Sequence, residues 1–246
     1  MRRILRQHPI PQPLWHQVTR SIALLQDLDP VSMARLRGLA TWFLHEKSIV
    51  GAQGLKVTLP MRVTVAAQAC LLILNLGTDY FDDWVEVILY PGAFRVRHET
   101  MDEIGLLHTD VSELTGEAWL RGPVILSWDD VVRDLASPQD AHSVVLHEFA
   151  HKLDGLDGEM NGIPPLRRGM SRASWAEEWG RAYDALCELV DEDEPTPVDP
   201  YAATDPAEFF AVMSEYFFTA PDILIESFPG VYRQLALFYL GTSVRD

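Results

Sequence analysis

The segment VVLHEFAHKLDGLDG, residues 144–158, contains two histidines separated by three residues, with a glutamate directly after the first. An α-helix turns about 100° per residue, so His147 and His151 lie on one face, one turn apart. Two imidazoles placed in this way can reach the same zinc ion, with Zn–N distances of about 2.0–2.1 Å. Glu148 points about a quarter-turn away, where a general base can act on an activated water. The segment therefore predicts a metal-binding helix.

The remaining residues of this helix are apolar, which indicates that the helix is buried. These apolar residues are Val144, Val145, Leu146, Phe149, Ala150 and Leu153. Two histidines and a glutamate are costly in such surroundings unless a partner compensates them, and a zinc ion does so. The apolar context therefore favours a metal site over two ordinary surface histidines beside a glutamate.

Two imidazoles leave a catalytic zinc ion short of one protein ligand, because such sites normally supply three and leave one position for water. His151 is the last histidine of the chain, which excludes a third histidine further along. The candidates are Glu208 and Glu215, both in the apolar segment at residues 201–218. They share a helix face but lie about 10 Å apart along the axis, so only one of them can coordinate.

Glu208 also has a purely structural interpretation. Asp205 as the N-cap, followed by Pro206, places Glu208 at the third helical position, where the carboxylate of a capping box belongs. The spacing alone therefore leaves Glu208 and Glu215 equally open as the third ligand.

The two segments together resemble the Mlc titration factor A family of zinc peptidases. The resemblance rests on HEFAHKLDGLDG and YAATDPAEFFAVMSEYFF, and it extends to EVILYP, to GPVILSW and to the apolar helix before them. More distantly, both segments are similar to the catalytic domain of anthrax lethal factor. Both resemblances imply that Glu208 is the third zinc ligand and that Tyr201 places a phenol near the active water. Glu215 is then a supporting or structural residue.

The family resemblance implies a zinc metallopeptidase, with an aminopeptidase type of cleavage and a peptide or protein as substrate. Glu148 would move the proton during amide hydrolysis, and Tyr201 would donate a hydrogen bond to the oxyanion. Tyr201 could instead be a tyrosine that only packs at a helix start. Members of the family are named for binding a transcriptional repressor of glucose uptake, so the alternative is a regulatory factor that sequesters a repressor and has latent peptidase activity.

The pattern along the chain predicts an α+β, zincin-like fold with a small mixed sheet and a helical N-terminal lobe. We predict a single domain at residues 14–246, with the lobe at about 14–80 and the catalytic part at about 81–246, after an extended segment at 1–13. Residues 54–65 and 84–96 have the β-branched content of strands. Residues 123–128 predict either an edge strand that could pair with an extended peptide, or an internal strand.

Three polar features near the motif have simpler interpretations. Asp154 lies one turn after His151 and either orients that imidazole or ends the helix before Gly155. Residues 154–162, DGLDGEMNG, lack the spacing and the final glutamate of a calcium loop, so they predict a polar loop. His142 lies off the face of His147 and predicts no special role.

The composition limits the classes of partner. There are 36 acidic and 20 basic residues, and the resulting formal charge of −16 repels phosphate backbones, so nucleic-acid binding is not expected. Cys70 and Cys187 do not form a disulfide framework. The apolar segment at residues 63–76 is too short for a membrane span, and the N-terminus has no signal-peptide pattern. We therefore expect a cytoplasmic protein.

Overall fold

The computed structural model describes residues 4–5, 8–82, 84–92, 100–101, 107–108 and 122–241 of the chain. Helices dominate these residues, and the strands are short. The helices are α1 (Gln12–Thr19), α2 (Pro30–Glu46), α3 (Leu59–Leu72), α4 (Trp128–Ala136), α5 (Val144–Asp154), α6 (Arg172–Asp191), α7 (Pro206–Thr219), α8 (Pro221–Ser227) and α9 (Pro229–Leu235). The strands are β1 (Ser48–Gly51), β2 (Glu86–Tyr90), β3 (Thr100–Met101), β4 (Leu107–His108) and β5 (Val124–Ser127).

Three of the strands form one sheet in the order β1-β2-β5, and both pairings are parallel. The mixed helical and strand content agrees with the predicted α+β class. The sequence predicts a mixed sheet, and for these three strands that prediction is wrong. The chain passes through α3 between β1 and β2. A connection that contains a helix brings the next strand back parallel to the first. Strands β3 and β4 form a separate antiparallel pair.

Strand β5 pairs with β2 on one side, and over the described residues its other side has no strand partner. Its residues Val124 and Ile125 line a cleft of about 510 Å³. Within the described part of the sheet β5 is an edge strand, which is one of the two arrangements that the sequence left open for residues 123–128.

The strand predicted at residues 54–65 is wrong, because α3 begins at Leu59. Thr58 is the N-cap, and its hydroxyl accepts a hydrogen bond from the Met61 N–H. Every residue of α3 from Val63 onward is buried, and in a fully buried segment the apolar pattern does not distinguish a helix from a strand. Helix α1 also begins at Gln12, inside the segment predicted to be extended. The predicted strand at 84–96 covers β2, and its last residues lie outside the described part.

The core packs aromatic rings against the two helices that carry the sequence motifs. Phe149 of α5 contacts Phe43, Phe81 and Trp84, with ring centroids 5.3–5.7 Å apart. Phe210 of α7 lies 6.0–6.3 Å from three further rings, those of Trp175, Trp179 and Phe238. Among the described residues, no helix is long and apolar enough to cross a membrane.

Candidate metal centre

Helix α5 places Glu148 and His151 of the H-E-x-x-H motif at the wall of the cleft, with His147 next to them. Its N-cap is Ser143, whose hydroxyl accepts a hydrogen bond from the Leu146 N–H. The inner face of the helix is fully buried around Phe149. His147 and His151 lie on the other side, where 13% and 17% of their side chains remain exposed. The predicted helix and its buried face are therefore present.

Helix α7 brings a carboxylate to the same place. The side chain of Asp205 accepts hydrogen bonds from the N–H groups of Ala207 and Glu208 at 2.8 and 2.9 Å, as the predicted N-cap requires. The backbone of Glu208 is thus part of the cap, but its carboxylate extends toward the two histidines of α5. The side chain of Glu208, for which the sequence also allowed a capping role, therefore faces the two histidines.

Three side-chain atoms from the two helices form a small triangle. The His147 Nε2 lies 3.2 Å from the His151 Nε2 and 3.0 Å from the Glu208 Oε2. The third side, from the His151 Nε2 to the Glu208 Oε2, is 3.5 Å. Ligand atoms at the corners of a tetrahedron around a zinc ion lie roughly 3.3–3.4 Å apart when the bonds are 2.0–2.1 Å long. The spacing of the three atoms therefore fits one small metal ion.

The orientation of these groups also fits a metal ion better than a set of hydrogen bonds. The Glu208 Oε2 is buried and has no hydrogen-bond partner, although the His147 Nε2 is only 3.0 Å away. The nearest histidine nitrogens are thus close to the Glu208 Oε2 but are not oriented for hydrogen bonding with it. This is expected when all three candidate ligand atoms point at a common centre. Within the described residues, these three side chains form the one cluster that could hold a metal ion.

Glu215 lies behind the triangle and supports it. Its Oε1 is 2.8 Å from the His147 Nδ1, and its Oε2 accepts a hydrogen bond from the Ser143 N–H at 2.6 Å. The carboxylate is thus shared between a ring nitrogen and the N-cap of α5, and it is almost fully buried. A hydrogen bond at Nδ1 fixes the orientation and tautomer of an imidazole and leaves Nε2 free for a metal. Glu215 accordingly lies on the far side of His147 from Glu208.

His147 of α5 and Glu208 of α7 strongly affect each other's pKa. Burial alone would lower the pKa of His147, but the carboxylates of Glu208 and Glu215 beside its two ring nitrogens outweigh this effect and raise it to about 10. Burial would raise the pKa of Glu208, whereas its close contacts with the imidazoles of His147 and His151 lower it well below its usual range. Glu208 is therefore held as a carboxylate anion beside His147, and this negative charge favours a bound cation.

Glu148 lines a cleft of about 510 Å³ that opens next to the triangle. Burial raises the pKa of its carboxyl group, and the positive charges of His147 and His151 partly oppose this shift. A carboxylate with a raised pKa is a suitable proton acceptor for a reaction at neutral pH. The cleft also contains Lys152, whose ammonium group donates a hydrogen bond to the Gly122 carbonyl at 2.9 Å. No motif in the sequence indicated that Lys152 lies there.

Tyr201 lies at the rim of the site, where its side chain is half-exposed. Its ring centroid is 6.2 Å from that of His147. The short helical turn Pro200–Ala203 holds it, and its N–H donates to the Asp199 carboxylate at 2.9 Å. Burial raises the pKa of Tyr201 to about 12, and the negative charge of Glu208 adds to this effect. The phenol therefore keeps its proton at neutral pH.

Two further residues from the sequence analysis have well-defined surroundings. Asp154 is fully buried, and its Oδ2 accepts a hydrogen bond from the Gly162 N–H at 2.9 Å. This bond connects the polar loop at residues 154–162 to the end of α5. Because the carboxylate of Asp154 is buried, it does not suit a calcium loop. His142 is half-exposed and pairs with Asp134 at 3.0 Å, and it lies 3.9 Å from the Glu215 Oε2. It stands behind the triangle and is not part of it.

Comparison with known proteins identifies relatives along nearly the whole chain. Residues 1–240 match the family described as glucose-regulated metallo-peptidase M90. The chain is 40% identical to Mlc titration factor A of Pectobacterium atrosepticum, with 94% of this chain and 88% of the relative covered. It is 37% identical to Mlc titration factor A of Klebsiella pneumoniae, with 92% and 84% covered.

An uncharacterized protein of Synechocystis is 35% identical, with 95% of this chain and 85% of that protein covered. The resemblance seen in the two motif segments is thus confirmed and extends well beyond them. A match of this extent, together with identities above one third, establishes the family. The chain belongs to the M90 family of glucose-regulated metallo-peptidases.

Proposed function

We propose that this protein is a zinc-dependent metallopeptidase of zincin-like architecture that hydrolyses peptide bonds, with His147, His151 and Glu208 as the zinc ligands. The observation that carries the proposal is the convergence of three ligand atoms, 3.0–3.5 Å apart, at the wall of a cleft. Two imidazoles and one carboxylate are a ligand set of catalytic zinc sites, which leave a further position open. The family supports a metallopeptidase, and zinc is the metal that this ligand set favours.

A zinc ion in this position would supply Lewis acidity, polarising the scissile carbonyl and making a nearby water more acidic. The chain itself supplies the proton transfers. Glu148, with its raised pKa and its position in the cleft, would accept the proton of the attacking water and deliver it to the leaving amine. Tyr201 would donate a hydrogen bond to the developing oxyanion, since its phenol stays protonated.

The cleft supports a peptide as substrate, and we propose an aminopeptidase type of cleavage. The described edge strand β5 forms part of the wall through Val124 and Ile125, where an extended peptide could add as a further strand. Three carboxylates, those of Glu148, Asp205 and Glu208, line the cleft together with the ammonium group of Lys152. This negative balance favours a substrate with a free amino terminus over one with a free carboxylate.

The proposal is tested by Glu148→Gln, with hydrolysis measured on fluorogenic aminoacyl substrates and on internally quenched peptides. We expect loss of hydrolysis with retention of zinc, because the amide cannot accept the proton and the ligands are unchanged. Glu159→Gln is the matched control, since Glu159 is exposed and its carboxylate accepts a hydrogen bond from the nearby Asn161 side chain. Hydrolysis by the Glu148→Gln protein at the wild-type rate would refute the proposed role of Glu148.

A second candidate function follows from the names of the relatives, which are titration factors of Mlc. We propose that this chain also binds a transcriptional repressor, which would place it in the cytoplasm, and that sequestration could be its main role if the peptidase is latent. Binding to purified repressor should be compared for the wild type, for Glu148→Gln and for protein treated with a chelator. Binding that survives both treatments separates the two functions, whereas loss in both would tie repressor binding to the metal site.

A further inference from the structure

Two buried polar atoms near the end of α5 have no hydrogen-bond partner. They are the Nδ1 of His151 and the Oδ1 of Asp154. A buried polar atom without a partner is costly, and such atoms in folded proteins usually have an explanation. The two atoms are also chemically complementary, because an imidazole N–H donates and a carboxylate oxygen accepts.

The helix brings the two side chains together. His151 and Asp154 are three residues apart in α5, and side chains at this spacing are neighbours on a helix surface. The other imidazole of the pair is already supported, because the His147 Nδ1 lies 2.8 Å from the Glu215 Oε1. The Nδ1 of His151 has no such support, and Asp154, three residues further along the same helix, is a buried carboxylate with an unpartnered oxygen.

We infer that Asp154 is the positioning residue of His151, accepting a hydrogen bond from the Nδ1–H so that the Nε2 lone pair faces the metal position. This inference rests on the proposed metal site. The bond would satisfy both unpartnered atoms and fix the tautomer that can bind a metal through Nε2. Asp154 itself touches neither metal nor substrate.

The second oxygen of Asp154 connects the same carboxylate to the start of α7. Its Oδ2 holds the N–H of Gly162, and the carbonyl of Gly162 accepts a hydrogen bond from the Trp175 indole at 3.0 Å. Gly162 packs directly on α7, since a Cβ at this position would lie 2.5 Å from the Pro206 carbonyl oxygen. Asp154 thus links the end of α5 to the turn that precedes Glu208, and so to ligand candidates on both helices.

The test is Asp154→Asn, with zinc affinity measured by competition with a chromophoric chelator. The asparagine oxygen would keep the Gly162 N–H bond, so its NH2 group would face the His151 Nδ1. A donor at that position favours the tautomer with the proton on Nε2, which cannot bind the metal. We expect the zinc dissociation constant to rise by about 10–100-fold, as for other residues that orient metal ligands.

The urea midpoint of the zinc-free protein distinguishes positioning from a general structural role. We expect little change in this midpoint for Asp154→Asn, because the bond to Gly162 is retained. Asp157→Asn is the matched control, as it removes the same charge from an exposed site three residues further on. It should leave both the zinc affinity and the midpoint unchanged.

The outcomes separate this inference from the proposed function. Zinc affinity at the wild-type level in a folded Asp154→Asn protein overturns the inference while the metal site stands. Failure of the wild type to bind zinc overturns both. If Asp154→Asn does not fold, a crystal structure of the zinc-loaded wild type decides. An Asp154 Oδ1 to His151 Nδ1 distance of about 2.7–2.9 Å supports the inference, and a distance beyond hydrogen-bonding range overturns it.

Discussion

Helices α5 and α7 contribute to the same cluster of side chains, but they are held there by different contacts. Helix α5 places His151 and Glu148 at the cleft and His147 beside them, and the rings of Phe43, Phe81 and Trp84 pack against its other side. Helix α7 supplies Glu208 at its N-terminal end and, two turns further on, Glu215. The first of these carboxylates faces the cleft, whereas the second is buried between the helices.

The two glutamates of α7 therefore have different roles at the same site. Glu208 is partly accessible and is positioned by the Asp205 cap, so its side chain is free to act on a ligand. Glu215 bonds both to His147 and to the backbone of Ser143, and it therefore fixes the other helix. We expect changes on the buried side to alter stability, and changes on the cleft side to alter metal binding.

The largest effect on stability is expected for Phe149→Ala, on the buried side of α5. The ring is fully buried between three other aromatic rings, so its removal leaves a cavity that costs about 3–5 kcal/mol of unfolding free energy. Urea denaturation of the zinc-free protein measures this loss. A loss below about 1 kcal/mol would show that the aromatic contacts do not hold α5 in place.

The next prediction concerns the cleft side and uses Glu208→Ala. We expect zinc affinity to fall by more than about 100-fold, because loss of a ligand should exceed the 10–100-fold effect of losing a supporting residue. The urea midpoint of the zinc-free protein should fall only through the lost ion pair with His147, since the cap of α7 depends on Asp205 and on the Glu208 backbone. A Glu208→Ala protein that binds zinc as tightly as the wild type would remove Glu208 from the proposed ligand set.

Glu215→Gln is the matched change two turns along the same helix. An amide retains one acceptor, so either His147 or Ser143 loses its bond, and we expect a loss of about 1–3 kcal/mol of unfolding free energy. The zinc dissociation constant should rise by about 10-fold, through poorer orientation of His147. A reversed result, with zinc lost in Glu215→Gln and kept in Glu208→Ala, would mean that Glu215 is the ligand.

The two helices also differ in how far the sequence predicts them. The geometry of H-E-x-x-H is local, because the relative positions of His147 and His151 follow from the helix itself. The cap at Asp205 was predictable for the same reason. The choice between Glu208 and Glu215 depends on how α7 crosses α5, and spacing within one helix contains no information about that crossing. Only the family resemblance favoured Glu208, and the structure places it beside the histidine pair.

The errors in the fold have a related physical cause. Helix α3 is buried on all sides from Val63 onward, so these residues show neither the periodicity of an amphipathic helix nor that of a half-buried strand. The parallel order of β1, β2 and β5 depends on long connections between strands, which short windows of sequence do not reveal. The support of His147 by Glu215 spans 68 residues and was likewise invisible to local patterns.

The smallest predicted effect on stability is that of replacing His142, which lies near Glu215. Its hydrogen bond with Asp134 raises its pKa, burial opposes the shift, and the negative charge of Glu215 adds to it. Asp134 also accepts a hydrogen bond from the Val144 N–H at the start of α5, so the pair should stabilise this helix. Because 48% of the His142 side chain is exposed, we expect the contribution to be less than about 1 kcal/mol.

The sign of the pH dependence follows from the raised pKa. The folded state binds the proton more tightly than the unfolded state, so the stabilisation is complete below the unfolded-state pKa of about 6.5 and is lost as the pH rises through the folded-state pKa. The difference in unfolding free energy between the wild type and His142→Gln, measured in urea with a chelator present, should therefore be largest at low pH. A difference that grows from about pH 6 upward would show that His142 does not stabilise α5 through its charged form.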